Sequence, residues 1–442
     1  MVFQINALTI IVIALLGGVS SILVNKGIAV FHDGLRPIMP QHLQGTMSRG
    51  EILATSFALS FGLVVGFGLP VSIAGGIIII HTLLLGTDII GLCFKPNKLG
   101  MLLAGVAGAL YGVLLMVGMK AIVDLFAMMP VNFLGALGSV GDPVIIAFTF
   151  FPALAIAYQH GYGKGFIAFA ITVLAQQFFK LYGTVTIGTV KFTLSAEGMA
   201  LLIGMVIMIV MAFTDKKNKN ATGEIGETLS VFGGNVKAIQ KNAPWLMLSG
   251  GLTALACTLL IVAEGPNSLT LTAKGMYNEA ALVALSRSLG FIPLVMLTAI
   301  VGGVYSPEGT KMLFVPAIVF ITMGTFGLVA SFVCGAVIML IEVFLLKYVA
   351  IGLDKFPGVK DMGDNIRTAM SKVLEIALLL GGFIAAGKIA PTFGYLWIMG
   401  LYLLNKTSKK PITEMAIGPL GAISLGVLVN ILYLVGLYKI PV

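Results

Sequence analysis

The sequence predicts an all-α polytopic membrane protein of about 12 to 14 transmembrane helices, built as two inverted-topology halves with broken or re-entrant helices. Three observations predict it. Of the 442 residues, 58% are hydrophobic and 10% charged, and the mean hydropathy is +1.05. Soluble domains carry about 25% charged residues, so this chain cannot clothe a globular surface. Apolar runs recur along the whole length, and each bilayer crossing takes roughly 20 apolar residues. The one long hydrophilic stretch, 214–243, sits near the midpoint. A soluble enzyme, a nucleic-acid binder and a disulfide-stapled secreted scaffold are thereby excluded. The net charge of +9 reads as Lys and Arg held in cytoplasmic loops. Cys93, Cys257 and Cys334 lie in or beside apolar runs without metal-ligand spacing and read as small core residues.

Taken in order, the first run, 5–24, has no basic residue before it and Lys26 just after it. A secretory signal has the opposite polarity, so this is a retained helix with its N-terminus outside. Thirteen further runs follow, near 53–69, 73–94, 100–123, 143–158, 165–182, 197–213, 244–263, 289–305, 312–331, 334–351, 373–388, 392–404 and 415–437. If all cross, the inside loops hold Lys95 and Lys98, the run Lys216, Lys217 and Lys219, the pair Lys355 and Lys360, and Lys406, Lys409 and Lys410. The outside stretch 124–142 has two aspartates and no Lys or Arg, which satisfies the positive-inside rule. The chain then divides into an N-terminal transmembrane half, 1–213, a cytoplasmic linker, 214–243, and a C-terminal half, 244–442. An odd number of spans in each half makes the halves enter from opposite sides, as in secondary transporters with inverted repeats. Asp33-Gly-Leu-Arg36-Pro-Ile-Met39 resembles Asp364-Asn-Ile-Arg367-Thr-Ala-Met370, through duplication or by chance. Glycines four apart within the runs, such as Gly62 and Gly66 or Gly108 and Gly112, suit close helix packing. The stretch Gly382-Phe-Ile-Ala-Ala-Gly387-Lys388 imitates a phosphate loop, but Ile389 stands where Ser or Thr is required and no strand precedes it.

Carboxylates at bilayer depth are costly and persist where they face a cavity, a partner or an ion path. Glu342, alone in Val337-Ile-Met-Leu-Ile-Glu342-Val-Phe-Leu-Leu, is read either as a proton, cation or substrate site or as a structural bond to a neighbouring helix or to Lys347. Asp88 and His81 are seven residues apart and so share a helix face, where a proton relay could run; alternatively Asp88 marks the membrane interface. His32, Asp33 and Arg36 belong to a segment with two prolines and a glycine, read as a re-entrant or gating element or as a cytoplasmic turn with a local Asp33–Arg36 pair. Asp364, Asn365 and Arg367 open a second polar cluster with Asp361, read as a substrate site or as a solvated loop before a helix cap. Arg287 precedes a break at Phe291-Ile-Pro293 and could attract an anion there.

Residues Ala29 to Gln41, Ala-Val-Phe-His-Asp-Gly-Leu-Arg-Pro-Ile-Met-Pro-Gln, resemble the YhfT family of bacterial inner-membrane proteins. The likeness continues through Pro143 to Tyr158, Leu289 to Pro293, Gly303 to Tyr305 and Asp364 to Met370, over nearly the whole length. It implies a multi-pass inner-membrane transport protein of unspecified substrate and attaches no binding role to the motif residues. Helix count and central linker are also similar in outline to the membrane subunits of ascorbate-type phosphotransferase transporters, which move substrate by an elevator motion and here would need a separate phosphocarrier. The sequence expectation is therefore a transporter of a small polar, anionic metabolite, with protons or sodium coupled through Glu342 and Asp88. The rival is an intramembrane enzyme, against which stands the lack of zinc-binding His/Glu spacing or a nucleophile elbow. Expected partners are a small-molecule substrate, the lipid bilayer and a coupling ion, with a homodimer as a further candidate. No cofactor, metal or nucleic acid is expected.

Overall fold

The computed structural model describes residues 4–61, 63–187, 190–213, 224–353, 358–409 and 411–440. The first half opens with α1 (Ala7–Asn25), started by a capping box between Asn6 and Thr9, a device that contributes about 1 kcal/mol. After α1 the chain runs extended through residues 28–31, makes a 3-10 turn at Arg36–Ile38, and forms the short helices α2 (Met39–Leu43) and α3 (Arg49–Ser56). Two π-helical turns, Phe57–Phe61 and Val64–Gly68, lead into α4 (Leu69–Gly75), the two-residue strand β1 (Ile78–Ile79) and α5 (Ile80–Cys93). The long α6 (Lys98–Met128) follows, capped by Asn97. Next come α7 (Leu134–Gly138), α8 (Gly141–Ala147) and α9 (Phe151–His160), then α10 (Tyr162–Tyr182), a hairpin of β2 (Thr184–Ile187) and β3 (Val190–Thr193), and α11 (Ala196–Phe213).

The second half begins after α12 (Glu224–Lys241). It comprises α13 (Ala243–Thr258), β4 (Val262–Ala263), α14 (Pro266–Ala273), α15 (Tyr277–Gly302), α16 (Phe314–Val319), α17 (Gly324–Leu353), α18 (Gly358–Ile389), α19 (Gly394–Thr407) and α20 (Glu414–Leu434). The expected linker 214–243 thus contains a helix. Phe232, Val236 and Ile239 of α12 are buried, and its Asn235 side chain donates to the carbonyls of Ile300 and Val301 at 2.9 and 3.1 Å, satisfying the end of α15.

Among the described residues, eight helices are long and apolar enough to cross a bilayer, or nine if the pair α7–α8 and α9, bent by 42°, counts as one span. This differs from the expected 12 to 14 for a physical reason. Hydropathy measures apolarity and not helical continuity. The runs 312–331 and 334–351 belong to one candidate span, Phe314–Leu353. The runs 53–69 and 73–94 are broken by π-turns, Pro70 and the extended β1, leaving α5 with 14 residues. The runs 244–263 and 392–404 form helices of 16 and 14 residues.

Glycine sets the closest helix contacts. Along α1 and α6, a Cβ on Gly17, Gly108 or Gly112 would overlap the backbone of the facing helix, and Gly250 and Gly335 bring α13 against α17 in the same way. Two helix ends also recur. At the end of α1 the N–H groups of Gly27 and Ile28 donate to Val24 and Leu23 carbonyls, both at 2.9 Å, with Gly27 at φ +66°. At the end of α13 the N–H groups of Leu260 and Ile261 donate to Cys257 and Ala256, again at 2.9 Å, with Leu260 at φ +57°. Both are left-handed C-terminal caps, although Leu260 carries a side chain that the left-handed region disfavours by about 1–2 kcal/mol. Likewise α4 and α15 end at Gly76 and Gly303, both at φ +68°, with N–H groups bonded to Ser72 and Ala299.

Candidate functional site

Extended backbone inside an apolar core must find hydrogen-bond partners. Here the breaks supply them to one another. The extended segment after α1 meets the segment after α15 in a parallel bridge, Ala29 opposite Tyr305, with Val30 N–H donating to Tyr305 at 3.1 Å and Tyr305 N–H to Ile28 at 3.3 Å. Strand β1 meets β4 in the same sense, Ile78 opposite Val262, with Ile78 N–H donating to Ile261 at 3.1 Å. Ile78, Ile79, Val262 and the whole stretch Val304 to Lys311 are buried.

Eight charged side chains gather around these crossings. Arg36, fully buried, donates from Nε to Thr298 Oγ1 at 3.0 Å and from Nη1 to the carbonyls of Val30 and Phe31 at 3.1 and 3.3 Å, and it pairs with Asp33. Arg287 pairs through Nε with Glu264 at 3.3 Å, and Ser268 donates to the other Glu264 oxygen at 2.9 Å. Lys311 pairs with Glu308 and donates to His81 Nε2 at 3.1 Å; it holds this place with φ +65°, a strained conformation for a lysine. The Phe291 ring has the Arg287 and Lys311 cations 5.7 and 5.5 Å from its centre.

Two carboxylates have no cation at ion-pair distance among the described residues. Asp88 accepts from the backbone N–H groups of Phe31 and His32 at 3.0 and 2.8 Å, fixing the break after α1. Glu342 accepts from the hydroxyls of Tyr305 and Thr310 at 2.7 and 2.5 Å. The cluster therefore holds five carboxylates, Asp33, Asp88, Glu264, Glu308 and Glu342, against three permanent cations, Arg36, Arg287 and Lys311.

A family model named YhfT, described as a protein of unknown function, matches residues 9–438. The chain belongs to the YhfT family. The "Uncharacterized protein YhfT" of Escherichia coli (strain K12) is 34% identical over 444 residues, covering 97% of this chain and 98% of that protein. No solved structure matches the chain.

Within this YhfT chain, the sequence-derived residues separate into two groups. Asp33, Arg36, Asp88, Glu342, His81 and Arg287 all enter the central cluster. His32 is buried there too, its Nδ1 accepting from Gly34 N–H at 2.9 Å. Glu342 bonds hydroxyls rather than Lys347, which is exposed. His81 and Asp88 do not form a relay with each other: the first faces Lys311 and the second the backbone at 31–32. The second group lies on α18. Asn365 donates to Gln159 at 3.4 Å, and Arg367 Nε lacks a hydrogen-bond partner. The side chains of Asp361 and Asp364 lie outside the described residues.

Sequence reasoning missed Glu264, Glu308 and Lys311. They sit in short polar gaps, Ala-Glu264-Gly-Pro and Ser-Pro-Glu308-Gly-Thr-Lys311, that look like solvated connections between spans. The segment 306–311, the gap between the expected runs 289–305 and 312–331, is buried, with Glu308, Thr310 and Lys311 at most 2% exposed. The available signal was the pairing of Pro and Gly with charges in gaps too short to reach far from the membrane.

Proposed function

We propose that this YhfT-family chain is a secondary transporter of the bacterial inner membrane, built from two inverted halves, that moves a small anionic metabolite and is not an enzyme. Coupling to protons or another cation runs through Asp88 and Glu342. The observation that carries the reading is the crossing of helix breaks around a buried charged cluster. Secondary transporters bind substrate where discontinuous helices meet near the bilayer midplane, and buried charges in membranes mark substrate and ion paths. The ion pairs Asp33–Arg36, Glu264–Arg287 and Glu308–Lys311 neutralise one another. Asp88 and Glu342 are left over, and a buried carboxylate without a cation needs a proton or a bound cation to offset its desolvation.

The inverted arrangement is supported by the helix ends and bridges. The caps at Gly27 and Leu260 correspond, as do those at Gly76 and Gly303. The bridges then exchange partners: the segment after the first cap of each half pairs with the segment after the second cap of the other, 29 with 305 and 262 with 78. The packed pairs α1–α6 and α13–α17 match as well.

The test is uptake by proteoliposomes of purified protein, using a panel of labelled small organic anions, with an imposed pH gradient or sodium gradient. Accumulation that follows one gradient and collapses with it is expected. A solute that reaches the lumen chemically changed favours the enzyme reading, and no uptake or exchange of any anion by folded protein overturns the proposal.

A further inference from the structure

Away from the central cluster, a groove of about 400 Å³ lies between the bent pair α8–α9 and α18. The two walls run antiparallel. Gln159 near the end of α9 donates to the Gly358 carbonyl at 2.9 Å, and at the other end Gly381 of α18 lies against the Val140 backbone. The groove opens where α8 and α9 bend by 42° while α18 continues as one helix, and Ile146, Ala147 and Phe150 flank that bend on its wall. Ile146, Ile376 and Leu380 are exposed, so the groove faces the lipid. Along α18 it reaches from Lys372 to Leu380, a rise of about 12 Å, close to the roughly 15 Å that one leaflet contributes to a hydrocarbon core. Spread over that length, the volume is a slot about 6 Å wide, narrower than a helix at about 10 Å. Every lining side chain is apolar except Lys372. Its end of the groove is the polar one, since Asn365, seven residues earlier on the same face of α18, bonds Gln159. The Lys372 ammonium has three donors and gives one to Glu375 at 3.3 Å; Glu375 is not a wall of the groove and meets Glu414 of α20.

We propose that this groove holds one anionic phospholipid, with an acyl chain lying from Lys372 to Leu380 and the phosphate at the Lys372 ammonium. The inference goes beyond the transport reading and does not depend on it. A cation at one end and apolar walls along the rest give the occupant a direction, charged head and hydrocarbon tail. A lysine within the span Asn365–Ile389 lays its stem along the apolar wall and reaches with its ammonium toward the headgroups, where anionic lipids are attracted to it. The slot is too narrow to seat a helix of a second copy, and an acyl chain fills it without leaving any polar group unmet. The chain also braces the bend between α8 and α9. Phe150 lines the groove, while Phe148 on the other side of the bend packs with its ring centre 6.0 Å from that of Phe291, the ring that carries the Arg287 and Lys311 cations of the central cluster. The bound lipid thus supports one wall of that cluster from outside.

The experiment measures thermal stabilisation of the full-length protein, stripped of lipid in a neutral detergent, by phosphatidylglycerol, by phosphatidylcholine with the same chains and by glycerol phosphate. A ligand of the folded state raises the melting temperature in a saturable way. Saturable stabilisation by phosphatidylglycerol is expected, with weaker stabilisation by phosphatidylcholine and none by glycerol phosphate. Lys372→Gln should weaken phosphatidylglycerol about fivefold, the worth of one lysine beside an anionic surface, and Lys372→Arg should restore it. Ala147→Phe places a ring in the slot and should abolish the stabilisation; Lys372→Gln, at an exposed position, keeps the test open if that variant folds poorly. Equal stabilisation by the two lipids overturns the proposal, as does stabilisation by glycerol phosphate that matches phosphatidylglycerol. A preference for phosphatidylglycerol that persists unaltered in Lys372→Gln places the lipid elsewhere and overturns it too. None of these outcomes bears on whether proteoliposomes take up an anion, so the groove and the transport reading stand or fall separately.

Discussion

The two unpaired carboxylates differ in what their oxygens do. Glu342 meets two hydroxyls, which can rotate to donate or accept, so Glu342→Gln keeps its hydrogen bonds and loses only its ionisation. The expected outcome is folded protein whose uptake no longer varies with pH, measured as initial rate against external pH; an unchanged profile removes Glu342 from coupling. Asp88 instead holds two backbone N–H groups. An asparagine oxygen placed for one of them leaves its NH2 facing the other, so Asp88→Asn should also lower stability by about 1–3 kcal/mol, seen as a lower melting temperature. Arg36 is structural in the same sense. Its fork ties Thr298 to the carbonyls of the break, and Arg36→Met should cost about 3–5 kcal/mol by stranding Asp33, with Arg36→Lys in between because lysine keeps the charge without the fork. Glu342 stood out in the sequence because a lone carboxylate in an apolar run must find a partner, a proton or a cation. Glu308 and Lys311 did not, since a polar gap of a few residues is identical in sequence whether it faces water or turns back into the core.

At the scale of elements, small residues and the Pro/Gly-marked break after α1 were legible, and the break at β1 was not. Glycines four apart predict close helix contact, and Gly108 and Gly112 do lie against α1. The break at β1 lies within Ile-Ile-Ile-Ile, where apolarity is continuous and only the hydrogen bonds change partner. The caps offer a direct test of the correspondence between α1 and α13. Leu260 is a leucine in a glycine's conformation, so Leu260→Gly should leave the melting temperature nearly unchanged, relief of about 1–2 kcal/mol of left-handed strain offsetting lost apolar contact. Gly27→Leu should destabilise by a similar 1–2 kcal/mol or more. If Leu260→Gly instead proves as damaging as Gly27→Leu, the left-handed cap of α13 is not formed as described.

For the whole molecule, the apolar composition made a helical membrane protein readable, whereas broken and short helices count as runs in a hydropathy reading, and eight or nine of the 12 to 14 expected crossings have a helix long and apolar enough among the described residues. Under the proposed inverted reading, Ala29 and Val262 hold equivalent places in the two bridges, Ala29 with Tyr305 and Ile78 with Val262, so the counterpart of the Asp33 segment is the Glu264–Pro266 turn rather than the Asp364 segment of α18. The inverted reading then makes a prediction about sidedness that hydropathy does not. If α1–α6 corresponds to α13–α17 with opposite orientation, the start of α6 and the start of α17 lie on opposite faces of the membrane. Charge agrees: Lys95 and Lys98 flank the start of α6, while Phe320 to Gly327 around the start of α17 carries no Lys or Arg. Lys95 and Met323 are both exposed. In a variant with Cys93, Cys257 and Cys334 replaced by serine or alanine, Lys95→Cys should resist an impermeant thiol reagent applied to intact cells and react only in inverted vesicles. Met323→Cys should react in intact cells. Labelling of both positions from one face would mean that the halves share an orientation, and the exchange of bridges would then need an origin other than inverted repetition.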